Sequence, residues 1–224
     1  MASNPILEVL EADGSDNETA SRIRIAIPDS ASDEVRSRIK RDVGDYLIEA
    51  VRQAVAEQST PVIGESWKSK LSPEYEKTKK KMGLPPVPNM EQSGEMMDAF
   101  RFKETDDGID IGFFDDNAAK ADGHLHFSVE SADATAPRRR FLPGEGQIFK
   151  RDVTQAVERL VADAIADESG FTEEDFDGIT TRAALYGILA ERFESLTRTQ
   201  IRSAVLRSSV LTELLEDLDL LELL

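Results

Sequence analysis

Two histidines, a carboxylate and three consecutive arginines stand within one short region of the chain: Asp122-Gly123-His124-Leu125-His126, then Arg138-Arg139-Arg140-Phe141-Leu142. Residues two apart on a strand project to the same face, so His124 and His126 could share a metal ion, with Asp122 as a third ligand. A catalytic zinc site needs that third ligand firmly held, and no HExxH or comparable motif accompanies the pair. The reading is therefore surface or interface histidines, with no metal. Nucleophilic chemistry is no better supplied, since no GxSxG-like context surrounds a serine and neither histidine neighbours a diagnostic one. Gly144-Glu145-Gly146 precedes a helix but lacks the remaining glycines and the lysine of a phosphate loop. With 44 acidic residues among 224, pairs such as Asp106-Asp107, Asp115-Asp116 and Glu173-Glu174 carry little information. Neither a catalytic residue nor a cofactor is expected.

The net charge of −17 repels nucleic-acid phosphates and anionic membranes. Two basic clusters depart from that sign, Lys77-Thr78-Lys79-Lys80-Lys81 and Arg138-Arg139-Arg140. Because copies of the same chain offer abundant carboxylates, and arginine pairs with them in bidentate fashion at interfaces, subunit contacts explain these clusters better than DNA does. The absence of cysteine removes disulfides and thiolate metal sites and fits a reducing cytosol. The first twenty residues lack the basic and apolar regions of a signal peptide, and no apolar run approaches the roughly 18 residues that span a bilayer. The expectation is a protein made in the cytosol, with no membrane partner.

These residues must be positioned by neighbouring elements. Residues 1–20 read as an N-terminal arm ending in a polar, acidic turn. Arg22 to Ile27 alternates polar and apolar side chains, the period of a half-buried strand carrying Ile23, Ile25 and Ile27 on one face, and Pro28 stops it. Ser30 or Ser32 can cap a long helix with apolar positions from Val35 to Val55. Prolines and glycines break residues 60–94 into an extended arm with one short helix near Pro73–Lys81. Residues 99–103 and 108–113 alternate and are joined through Asp106-Asp107-Gly108, which predicts an antiparallel hairpin. A second long amphipathic helix runs from about Glu145 to Ala166, closed at Gly170. From Phe171 onward the pattern is wholly helical and ends in LTELLEDLDLLELL, whose leucines Leu214, Leu218 and Leu221 need a docking surface.

Several short motifs occur in a fixed order: Gly64-Glu65-Ser66-Trp67, Leu71-Ser72-Pro73 with Tyr75, a lysine-rich stretch, and Ser93-Gly94-Glu95-Met96. The hairpin, the histidine loop from Ala118 to His126, and Pro137-Arg138-Arg139-Arg140-Phe141-Leu142-Pro143-Gly144 follow them, leading into a helix. In this order the chain, from about Ile23 to Ala166, resembles the virion-morphogenesis or tail-completion family of tailed bacteriophages and related viruses. Pro143 departs from the family pattern by standing before the glycine.

The resemblance implies an α+β fold: a twisted antiparallel sheet flanked by two long helices, with a long extended arm and a C-terminal all-helical extension outside the match. Together with the residue pattern, it suggests an arm (1–20), a tail-completion-like domain (21–170, with 60–94 as its arm) and a helical extension (171–224). It further implies a non-enzymatic ring, a hexamer, that completes the tail or joins it to the head in a virion assembled in the host cytoplasm. Its partners would be copies of itself, adjacent neck, head-closure or tail-tube proteins, and DNA passing through the lumen without sequence-specific binding. The residues expected at subunit or partner interfaces are Trp67, Leu71, Tyr75, Lys79, Lys80, Lys81, His124, His126, Arg138, Arg139, Arg140, Phe141, Leu214, Leu218 and Leu221. The residues allow two other classes: a cytosolic scaffold or adaptor that binds a partner through its C-terminal helices, and a metalloenzyme built on His124 and His126.

Overall fold

Ser32 starts the first long helix, α1 (Asp33–Ala56): its hydroxyl accepts the Val35 N–H at 3.2 Å, and Asp33 and Glu34 place negative charge at the helix's positive end. The helix ends where Gln58 takes a φ of 60° and the Ser59 N–H returns to the Ala54 carbonyl at 2.8 Å. This is a computed structural model, and it describes residues 6–10, 18–28, 31–65, 67, 71, 73–87, 95–118, 121, 139–144, 146–193 and 197–224.

Among the described residues the fold is mixed α+β, with seven α-helices and a four-stranded antiparallel sheet. The strands are β1 (Leu7–Leu10), β2 (Thr19–Ile25), β3 (Arg101–Glu104) and β4 (Gly108–Phe113), in the order β1-β2-β4-β3. β2 begins three residues earlier and ends two residues sooner than the alternation predicted, so Ile23 and Ile25 are buried and Ile27 falls beyond the strand, half-buried. The sheet also recruits β1 from what was read as an arm. Its Leu7 and Val9 are buried, with Glu8 exposed between them. β3 and β4 form the expected hairpin, pairing Phe102 with Ile111 and Lys103 with Asp110. Three of the four β3 residues are exposed and charged, which keeps this edge strand from pairing with other chains.

The chain forms two compact units, each assembled from separate stretches of sequence. One gathers residues 1–8, 24–43 and 154–224; the other gathers 9–23 and 44–153.

The first unit contains the start of α1 and most of α4 (Arg151–Ser169), together with α5 (Arg182–Arg192), α6 (Arg198–Val205) and α7 (Ser209–Asp217). Thr181 and Ser208 cap α5 and α7 by accepting the Ala184 and Leu211 N–H groups. Its core includes Ile39, Val157, Val161, Leu185, Leu189, Phe193, Ile201 and Leu211. The leucine-rich terminus is built into this unit: Leu215, Leu220 and Leu224 are buried, the Tyr186 hydroxyl donates to the Leu224 carbonyl at 3.3 Å, and Arg182 Nε donates to the Leu223 carbonyl at 2.8 Å.

The second unit holds α2 (Pro73–Lys81), α3 (Glu95–Asp98) and the hairpin. At its centre Phe100, Phe113 and Phe141 are almost wholly buried, with ring centroids 5.3 to 6.2 Å apart. Gly112 permits β2 and β4 to come together, because a Cβ there would lie 2.2 Å from the Thr19 carbonyl oxygen.

Candidate functional site

Residues 61–63 and 148–150 of the second unit meet along a short antiparallel ladder. Val62 bridges Phe149, the Ile63 N–H donates to the Ile148 carbonyl at 3.0 Å, and the Lys150 N–H donates to the Pro61 carbonyl at 2.6 Å. This pairing holds residues 148–150 extended, which is why α4 begins at Arg151 and not near Glu145. Strand alternation sends Val62 and Phe149 inward, both fully buried, while Ile63 and Ile148 stand opposite each other at 47% and 37% exposure.

Beyond the ladder the two segments are tied by polar groups. Trp67 Nε1 donates to the Arg140 carbonyl at 3.1 Å. Gln147 donates from Nε2 to Glu65 Oε1 at 3.1 Å, while its Oε1 accepts from the Gly144 N–H at 2.9 Å and from the Arg140 guanidinium. Arg140 Nε lies 3.8 Å from Glu65 Oε1, completing a knot of one cation, one anion and one amide. Ser21 secures the following turn by donating to the Pro143 carbonyl at 2.6 Å. Phe141 points into the aromatic cluster, so the loop is pinned by a ring on one side and by ion pairing on the other. Arg139 is buried, its pKa lowered by that burial and partly restored by Tyr75, and its Nε has no hydrogen-bond partner among the described residues.

The expected interface residues therefore separate into several groups. Arg140 and Trp67 come together directly, and Phe141 and Leu71 are buried in the unit's own interior. Tyr75 is half-buried on α2, where Lys80 and Lys81 are exposed. Lys79 corrects its surface assignment: it is 1% exposed, and its amine donates to the Val87 carbonyl at 2.8 Å, fastening the turn that follows α2. Leu214, Leu218 and Leu221 are half-buried in the first unit, packed with the terminus they belong to. His124, His126 and Arg138 lie outside the described residues.

Sequence reasoning passed over Gln147, Ile63 and Ile148. Gln147 and Ile148 lie within the stretch read as the start of a helix, and their spacing to residues 63–65 becomes visible only once the ladder pairs them. Chemically, the knot can fix a loop and present its outer face, and it contains no nucleophile beside a base. Among the described residues no group of three or more His, Cys, Asp or Glu could hold a metal ion, and no helix is long and apolar enough to cross a membrane. Comparison with known protein families, curated proteins and solved structures finds no match to the chain.

Proposed function

We propose that this chain is a structural virion protein of the head-tail neck or tail terminus, assembling as a cyclic homo-oligomer that completes the tail or joins it to the head. The observation that carries this reading is the joining of two motif segments 73 residues apart, Trp67 to Arg140, through an indole N–H bond backed by the Glu65–Gln147–Arg140 knot. Beside that joint stands an outward apolar pair, Ile63 and Ile148, suited to contact with another protein. Identical interfaces repeated around an axis would close the ring, and the abundance of carboxylates would let DNA pass without sticking.

The test is to grow the encoding virus without this gene and image the particles. Filled heads and tails found apart, joined again when purified protein is added, are expected. Intact infectious virions would overturn the reading.

A further inference from the structure

Two sets of charges in the described residues have no partner of opposite sign, and they complement each other. The first is the end of α2, where Lys80 and Lys81 are exposed and unpaired and Met82 follows at 52% exposure. This tip is held in a defined shape. The Gly83 N–H bonds the Lys80 carbonyl at 3.1 Å, the Leu84 N–H bonds the Lys79 carbonyl at 2.9 Å, and Gly83 supplies the required φ of 74°. The buried Lys79 amine then holds the chain beyond it at Val87.

The second set lies in the first unit, around a groove of about 710 Å³. It is lined by Phe176, Ile179, Leu218 and Leu220 together with the carboxylates of Glu173, Glu174 and Asp177. All three carboxylates are exposed and without an ion pair among the described residues.

We infer that this groove receives the α2 tip of a second copy of the chain, with Met82 against Ile179 and Leu218 and the Lys80 and Lys81 amines against the three carboxylates. A thioether adapts readily to irregular apolar side chains. Chains of net charge −17 repel one another, so a contact between copies needs a local reversal of sign, and this tip supplies one. Tip and groove are different surfaces, which makes the contact head-to-tail, the kind that closes rings. The inference rests on the ring-forming reading and names the joint.

The test uses the full chain and its charge-reversed variants K80E/K81E and E173K/E174K, compared by native mass spectrometry and sedimentation at ~0.15 M salt. Wild type is expected to form closed oligomers, each variant to associate at least about tenfold more weakly, and an equimolar mixture of the two to recover alternating rings. Met82→Asp is expected to act like the charge reversals, and unchanged melting midpoints would show that all variants fold. Rings that persist in both variants would overturn the groove contact and leave the ring reading standing. A mixture that fails to recover would overturn the contact too, and a wild type that stays monomeric would overturn both.

Discussion

Trp67 spends its one polar atom on a backbone carbonyl that belongs to another segment. Trp67→Phe keeps most of the ring and removes that N–H, so it is expected to cost about 1 kcal/mol, read as a lowered urea midpoint with an unchanged slope. Glu158 in the first unit poses a different problem. It is only 5% exposed, and burial raises its pKa more than the neighbouring Arg207 guanidinium lowers it. The folded state then binds this proton more tightly than the unfolded state does. Its contribution to stability is full below the ordinary glutamate range and declines as pH rises through the raised value. Glu158→Gln removes the titration, so the variant should gain stability relative to wild type across that window, measured by urea unfolding at a series of pH values. Neither Glu158 nor Lys79 announced its burial in the sequence. A lysine run on a short helix reads as a solvated face, and only the fold shows that the Val87 carbonyl comes within reach of one amine.

At the scale of elements, what the sequence made legible were those whose signal is local. Cap, periodicity and stop all agree for α1; Pro73 at the first turn and Gly83 after the last bracket α2; and Asp106-Asp107-Gly108 marks the hairpin turn. The misplaced elements depend on distant partners. β1 has four residues, too few to show a period, and β2 opens with Thr19-Ala20-Ser21, which offers no large apolar side chain to mark a buried face. Thr19 and Ser21 are nonetheless buried, satisfied by the Ala118 and Pro143 carbonyls about a hundred residues away. The late start of α4 has the same origin in the Val62–Phe149 bridge. Pairing of β2 with β4 gives a prediction. Gly112→Ala would force a methyl to within 2.2 Å of the Thr19 oxygen, so the strands must part at a cost of about 1–3 kcal/mol. Faster amide exchange confined to β2 and β4, together with a lower melting midpoint, is the expected signature.

For the whole molecule, charge was readable at once and partition was not. A net −17 predicts that linear duplex DNA shows no retardation at ~0.15 M salt and about 10 μM protein, where ordinary nonspecific binders already shift. Retardation would show that a basic surface overcomes the overall field. The partition escaped a linear reading because the first unit is assembled from residues 1–8, 24–43 and 154–224, and nothing in residues 24–43 signals that their companions lie so far downstream. That arrangement orders events during synthesis. Ribosomes add roughly 5–20 residues per second, so residue 39 waits about 6–25 s for residue 161 to be made. Through that interval the apolar stripe of early α1, with Ile39 and Val43 at its centre, leaves the exit tunnel before the helices of its own unit exist. The nascent chain therefore offers a hydrophobic target to ribosome-associated chaperones for longer than a chain of this length with contiguous units would.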